Sequence, residues 1–244
     1  MVNPPSTRLS VRCVVTVAYG NRPDVGKPEG ALIGTSFSAK LARWRASFDR
    51  HDDAGLIGWQ DEWPPSSPPH LEKPYAFKAY ALRAAWLMGY RTMLWTDVSV
   101  VALRPLAPLW ELIERQGCWF SDNREWNCGQ WTCDSALGPL GITREEAFAI
   151  PQVAGTAFGI DYQHELGRKF FEEYLRLAEG EAFCGPWVND RGQASADPRV
   201  RGHRHDQTAA SVLAYRLGIP LTHQPEWFSD YRGETETTIL KVER

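Results

Sequence analysis

The sequence has 244 residues, of which 43% are hydrophobic and 23% are charged, and its formal net charge is -3 at pH 7. These values are typical of a globular protein with a sizeable core, and they give the chain no overall attraction to a polyanion such as nucleic acid. No apolar run approaches the ~20 residues of a membrane span and the N-terminus has no apolar signal core, so we expect a cytoplasmic protein.

The length fits one large domain. We expect a single domain over 1–244, with peripheral tails at 1–8 and 233–244. The five cysteines show no paired Cys-x-x-Cys spacing, which predicts reduced thiols rather than a disulfide framework or a structural zinc site.

The first part of the chain alternates between predicted strands and helices. A buried strand is predicted within Arg8–Ala18, which is rich in β-branched residues, and turn residues follow it at Tyr19–Pro23. The apolar residues of Thr35–Arg50 recur every three or four positions, which indicates an amphipathic helix. A second strand is predicted at Gly55–Trp59, and the proline-rich stretch 63–69 is a stiff loop.

The most informative stretch is Tyr90–Val100, a short apolar strand that carries Asp97 at its carboxyl end. A strong helix pattern over Tyr75–Met88 precedes it and stops at Gly89, and an apolar-periodic helix over Leu106–Ile113 follows. Helices between strands favour parallel strands joined by crossovers. In such sheets ligands bind outside the carboxyl ends of the strands, so we expect Asp97 in a binding site.

Two further strands are predicted in the second half of the chain. One is predicted at Cys118–Asp122 and continues to Asn127. Because a crossover precedes it, its carboxyl end should place Asp122 at the same edge of the sheet as Asp97. Ile150–Asp161 contains small residues, which allow a ligand to approach the backbone closely, and a helix over Tyr162–Leu177 follows it.

A basic cluster occupies 198–208 and leads into a predicted helix over Ala209–Leu217. Its polar residues are Arg199, Arg201, His203, Arg204, His205, Asp206 and Gln207. Arginines at a helix N-terminus favour an anion site, although capping by Asp206 with surface arginines around it is the alternative. The final stretch, Thr235–Val242, alternates as an edge strand or an ordered tail does.

Taken in order, Lys78, Trp95-Thr-Asp97, Gly155 and His205-Asp-Gln207 resemble the donor-binding centre of GT-A glycosyltransferases, which transfer a sugar from a nucleotide diphosphate to an acceptor hydroxyl. The resemblance implies an α/β fold with a Rossmann-like, mixed, mainly parallel sheet flanked by helices. In that family a strand ends in Asp-x-Asp, which holds a divalent metal on the donor diphosphate. Here the third position is Ser99.

The resemblance also implies roles for individual residues. The ligands of Mn²⁺ or Mg²⁺ would be Asp97, Ser99, His203 and His205. The donor, such as a uridine or guanosine diphosphate sugar, would meet Tyr19, Arg22, Lys78, Trp95, Asp97, Ser99, Arg201, Arg204 and Gln207. The acceptor would meet Trp126, Gly155 and Thr156. The candidates for the catalytic base are Asp122, Asp161 and Asp206. If no metal is used, the negative charge of the diphosphate would be neutralised by Lys78, Arg199, Arg201 and Arg204.

Several alternatives remain open at this point. The acceptor is a glycan, a small molecule or, as in viral DNA-modifying glycosyltransferases, a hydroxylated base in DNA. A module that binds a nucleotide sugar without turnover is a second class. A nucleotidyltransferase or a metal-dependent hydrolase is less favoured, because no glycine- and lysine-rich phosphate loop follows the first strand near Gly20. The sequence leaves the donor, the stereochemistry and the oligomeric state open.

Overall fold

The computed structural model describes residues 11–19, 37–230 and 233–243. The strands are β1 (Arg12–Ala18), β2 (Gly55–Gln60), β3 (Thr92–Thr96), β4 (Val100–Ala102), β5 (Cys118–Asn127), β6 (Pro151–Asp161), β7 (Leu221–Thr222), β8 (Phe228–Ser229) and β9 (Leu240–Val242). The α-helices are α1 (Phe37–His51), α2 (Phe77–Leu87), α3 (Ala107–Gln116), α4 (Asp134–Leu140), α5 (Arg144–Ala149), α6 (Glu165–Glu179) and α7 (His205–Arg216).

The main sheet has six strands in the order β2-β1-β3-β6-β5-β7. All neighbouring pairs are parallel except the two that involve β6, which runs antiparallel to β3 and to β5. The described residues therefore form a single α/β domain with a mixed, mostly parallel sheet, as the sequence predicts.

The sheet is buried on both faces, as parallel strands require. Cys13, Val15 and Met93 pack in one hydrophobic cluster with residues of α2, α6 and α7. Val14 and Leu94, which point to the opposite face, pack in a second cluster with residues of α1 and α3. The period of two along β1 and β3 thus separates the two layers of helices.

The turn that carries Asp97 connects the main sheet to a small second sheet of order β4-β9-β8. The strand predicted over Tyr90–Val100 is shorter in the structure, because β3 ends at Thr96 and the chain turns before β4 begins. The N–H of Val100 donates to the Asp97 carbonyl (2.9 Å), and the N–H of Glu243 donates to the Ser99 carbonyl (2.8 Å). The C-terminal strand therefore supports this turn.

Leu240–Val242, within the stretch expected to be a peripheral tail, is a strand of the fold, while residues 1–8 lie outside the described part of the chain. This segment forms the middle strand of the small sheet, and Leu240 is fully buried beside Leu106 and Trp110. The strand is only three residues long and lies in an otherwise polar stretch, so the sequence pattern did not distinguish a buried central strand from an edge strand or an ordered tail.

Two helical regions also differ from the prediction. Helix α7 begins at His205, earlier than the predicted Ala209, and α4 and α5 were not predicted. Helix α4 contains Gly138 and Pro139, which have poor helix propensity. None of the helices in the described ranges combines the length and apolar character that a bilayer span requires.

Candidate active site

A cleft of about 680 Å³ opens beyond the carboxyl ends of β1 and β3. Tyr19 directly follows β1 and Asp97 directly follows β3, so both enter the cleft from strand ends. The lining is otherwise largely aromatic and includes Phe37, Trp63, His70, Tyr75, Phe77, Trp95, Trp187 and His205. This is the position at which α/β sheets usually bind ligands.

Two ring stacks form much of the cleft wall. Tyr19 stacks on Trp63 with ring centroids 3.7 Å apart, and Trp63 stacks on Phe77 at 5.4 Å. The rings of His205, Tyr75 and Trp187 form the second group, with centroid distances of 5.7 Å (His205–Tyr75), 5.4 Å (His205–Trp187) and 5.6 Å (Tyr75–Trp187). Flat aromatic surfaces of this kind pack against nucleobases and against the apolar faces of sugars.

The ammonium of Lys78 lies beneath the cleft and joins two carboxylates. Its Nζ is 2.8 Å from Asp206 Oδ2 and 3.2 Å from Asp97 Oδ1, and it donates to the Gly155 carbonyl at 2.7 Å. Lys78 reaches this point from the first turn of α2, and Asp206 from the first turn of α7. An ammonium has three N–H donors, and these three oxygens all lie within hydrogen-bond or ion-pair distance of it.

The Lys78 cluster is strongly coupled because it is buried. Burial lowers the pKa of Lys78, but Asp206 and Asp97 together raise it further, so the net pKa lies above that of an ordinary lysine. Burial also raises the pKa of Asp206, although Lys78 opposes this effect. The side chain of Lys78 is 4% exposed and that of Asp97 is 37% exposed, so Asp97 is the member that meets a ligand.

Asp97 is held in a fixed orientation. Its Oδ1 accepts from Trp95 Nε1 (3.1 Å) and pairs with Lys78, and its backbone N–H donates to the Thr156 carbonyl (2.8 Å). The two side-chain contacts, with Trp95 and Lys78, both involve Oδ1 and leave Oδ2 for a ligand. A carboxylate of this kind accepts hydrogen bonds without rearranging.

The two predicted histidines of the basic cluster are buried and bound to backbone. His203 Nε2 lies 3.0 Å from the Ala182 carbonyl, and His205 Nδ1 lies 2.8 Å from the Phe183 carbonyl. Burial lowers the pKa of His203 to about 4 and that of His205 to about 3. Both rings are therefore neutral at pH 7, and only His205 is part of the cleft lining.

The residues expected to hold Mn²⁺ or Mg²⁺ do not fit a metal site. Asp97 Oδ1 is already occupied by Lys78 and Trp95, Ser99 supplies only a neutral oxygen, and one nitrogen of each histidine bonds to a carbonyl. Across the described residues, no group of three or more His, Cys, Asp or Glu side chains is arranged to hold a metal ion.

The arginines of the basic cluster have different surroundings. The Arg204 guanidinium lies 3.7 Å from the ring centroid of Trp131 and 4.0 Å from that of Trp187. Burial lowers its pKa to about 10, so it keeps its charge at pH 7. Arg199 pairs with Asp197 and Glu145, which neutralises it.

Two other predicted cations are less informative. Arg201 lies 6.0 Å from the Trp131 ring centroid and does not line the cleft, and Arg22 lies outside the described residues.

The predicted acceptor residues lie on the floor of the site and beside it. A Cβ at Gly155 would be 3.1 Å from Gln207 Cβ and 3.2 Å from Asp206 Oδ2, so its small size allows α7 to approach β6. Gln207 Nε2 donates to Gln152 Oε1 at 3.1 Å. Trp126 packs on Trp131 with ring centroids 4.7 Å apart.

Asp122 orients an exposed histidine. Its Oδ2 is 2.6 Å from His223 Nδ1 and its Oδ1 accepts from the Gln224 N–H (3.2 Å), while the His223 side chain is 77% exposed. Asp122 pairs with Val153 across the sheet, roughly 7 Å along β6 from Gly155 at ~3.4 Å per residue. The exposed group of this pair is the imidazole, which is not part of the cleft lining and which sequence reasoning did not identify.

Asp161, one of the candidates for the catalytic base, lies away from Asp97. Asp161 pairs with Thr92 at the amino end of β3, whereas Asp97 follows the carboxyl end of that strand. The separation along the strand is roughly 13 Å at ~3.3 Å per residue. Asp161 Oδ1 instead accepts from the Gln163 N–H (2.9 Å) in the turn before α6.

Several cleft residues were missed because no local pattern marks them. Trp63 belongs to a proline-rich loop, His70 follows that loop, and Trp187 lies in irregular structure. Phe37, Tyr75 and Phe77 lie within predicted helices, whose periodicity indicates packing rather than a ligand site.

No protein-family model matches the chain, and no curated protein is significantly similar to it in sequence.

Proposed function

We propose that this protein is a glycosyltransferase that uses a nucleotide-diphosphate sugar, with the donor in the aromatic cleft and one of its hydroxyl groups bound by Asp97. The observation that supports this most strongly is the anchored carboxylate at the tip of β3, which lines an aromatic cleft of about 680 Å³. That volume is within the range of small-molecule sites, ~300–1,000 Å³.

Each part of such a donor has a suitable partner. Sugar and ribose hydroxyls donate to a carboxylate, and Asp97 Oδ2 accepts them without competition from Trp95 or Lys78, which bind Oδ1. The Tyr19–Trp63 stack offers a flat surface to a nucleobase.

The diphosphate needs a fixed positive charge when it leaves. Arg204 precedes the first residue of α7, stays charged at pH 7 and touches Trp187 at the cleft wall. The guanidinium does not itself line the cleft, so a diphosphate would reach it beside Trp187, next to the N-terminus of α7.

The acceptor hydroxyl loses a proton during transfer. We assign this proton to His223, because its imidazole is exposed and its orientation is fixed by Asp122. Asp122 acts here as a positioning residue, since both of its oxygens are already bonded.

The first test is calorimetric titration with UDP-glucose, UDP-N-acetylglucosamine and GDP-mannose. We expect one of these donors to bind the wild type, and Asp97→Asn to weaken that binding at least 10-fold, about 1.4 kcal/mol. Asp161→Asn is the matched control and should bind as the wild type does, because Asp161 is at the opposite end of β3. Binding of none of the donors, or equal binding by Asp97→Asn, contradicts the proposal.

The second test separates binding from transfer. With a donor that binds, His223→Gln should retain the wild-type dissociation constant and lose at least 10-fold in kcat for donor turnover, with a shifted pH profile. A variant with unchanged kcat would remove His223 from the reaction.

A further inference from the structure

We infer that the ammonium of Lys78 takes the position between Asp97 and Asp206 that a divalent cation would otherwise take, so that the site has a built-in cation and binds its ligand without metal. The part that concerns ligand binding rests on the proposed function. The oxygen cage around the ammonium does not.

The atoms around Nζ are those that a hard cation prefers. Two carboxylate oxygens and one backbone carbonyl surround it, at 2.7 Å from Gly155 O, 2.8 Å from Asp206 Oδ2 and 3.2 Å from Asp97 Oδ1. Oxygen sets of this type bind Mg²⁺, Mn²⁺ or Ca²⁺ in other contexts. The distances are those of N–H···O contacts rather than the ~2.1 Å of a Mg²⁺–oxygen bond, so the cage as built fits an ammonium.

A metal ion and Lys78 cannot share these oxygens. Two cations a few ångströms apart in a buried site repel each other strongly, since little water screens them. The lysine has no simple alternative position, because its Nζ also lies 5.4 Å from the ring centroids of both Tyr75 and Trp95. The side chain is 4% exposed, so it does not swing into solvent without opening the site.

The cluster also lacks a spare ligand set. Ser99 contributes no charge where the family pattern has a carboxylate, and His203 is buried away from the cleft lining. A metal on Asp97 would therefore depend on Oδ2, because Oδ1 is already paired with Lys78 and Trp95. In a metal-dependent site the negative charge of the carboxylates is neutralised by the ion. Here the ammonium of Lys78 neutralises it.

The inference predicts that removal of Lys78 creates metal affinity. Lys78→Ala leaves two carboxylates and a carbonyl around a vacated volume, with no cation between them. Mn²⁺ should enter that volume and relieve the repulsion between Asp97 and Asp206. Thermal unfolding of this variant should therefore be shifted upward by Mn²⁺, which the wild type should not show.

The experiment is a Mn²⁺ titration, by calorimetry and by the electron paramagnetic resonance of free Mn²⁺, with protein and metal alone. We expect no wild-type binding below 1 mM, on the order of the weakest physiological sites. We expect at least 10-fold tighter binding by Lys78→Ala, which is lost again in Lys78→Ala/Asp206→Asn. Lys73→Ala is the matched control, because Lys73 bonds to the Glu179 carbonyl at the surface and should behave as wild type.

Three results would overturn the inference. The first is micromolar Mn²⁺ binding by the wild type that Asp97→Asn abolishes. The second is a folded Lys78→Ala variant that gains no Mn²⁺ affinity. The third is donor binding by the wild type that EDTA weakens at least 10-fold. If Lys78→Ala does not fold even with Mn²⁺ present, the wild-type titration still tests the inference, because micromolar Mn²⁺ binding by the wild type would contradict it. The metal titrations contain no nucleotide, so failure of every donor to bind would contradict the proposed function and leave this inference standing.

Discussion

His203 and His205 determine how the protein responds to acid. Their buried rings have pKa values of about 4 and about 3, whereas an unfolded histidine titrates near 6.5. Between these values the unfolded chain binds more protons than the folded one, so acid favours unfolding. The stability that the neutral rings contribute is fully present above pH 6.5.

We therefore expect the free energy of unfolding to fall as the pH is lowered from 6.5 toward 4, by up to about 1.4 kcal/mol per pH unit for each histidine. Urea unfolding at pH 7, 6 and 5 measures this slope. Asp206 contributes in the opposite sense, because its raised pKa favours the folded state in acid. The difference between the wild type and His203→Gln isolates the histidine term, and equal slopes would contradict the prediction.

Lys78 shows why residue type alone did not define a role. A lysine followed by a strand-end aspartate was expected to meet the donor, but its ammonium is buried and already lies against three protein oxygens. The sequence indicates which charges are present, and only the fold shows which of them are already paired.

At the level of elements, the strands with long apolar runs were the most predictable. β1 and β3 are bounded by turn residues and buried on both faces, so their positions and the placing of Asp97 follow from local pattern. The direction of β6 does not, because an apolar run is the same in either direction and the pairing with β3 and β5 depends on distant contacts. The position of Asp161 at the opposite end of β3 from Asp97 follows directly from the direction of β6.

The start of α7 was misplaced for a related reason. His205 and Asp206 are polar, so an apolar pattern places them before the helix. They are buried by tertiary contacts with the Phe183 carbonyl and Lys78, which no local pattern reports.

β9 gives a prediction at the same scale. Leu240 is fully buried in the cluster beneath α1 and α3, so Leu240→Ala should lower the free energy of unfolding by roughly 2–5 kcal/mol. Glu236→Ala, at an exposed position in the preceding turn, should stay within about 0.5 kcal/mol of the wild type. Urea denaturation followed by tryptophan fluorescence compares the two, and a small effect at Leu240 would show that β9 is dispensable.

For the whole molecule, the charge distribution bears on the hypothesis of a DNA acceptor. The formal net charge is -3, and Arg199 is neutralised by Asp197 and Glu145. We therefore expect no retention on a duplex-DNA column at about 50 mM salt, an ionic strength at which phosphate contacts are still strong. Retention that decreases steeply as salt is raised would instead support a base-modifying transferase.

The bond between Glu243 and Ser99 has a practical consequence for handling the protein. Since Ser99 lines the cleft, any polypeptide fused after Glu243 leaves from the rim of the ligand site. An affinity tag or reporter attached there would crowd incoming molecules and add its own charges beside Asp97. Assays should therefore begin with material from which such an appendage has been cleaved.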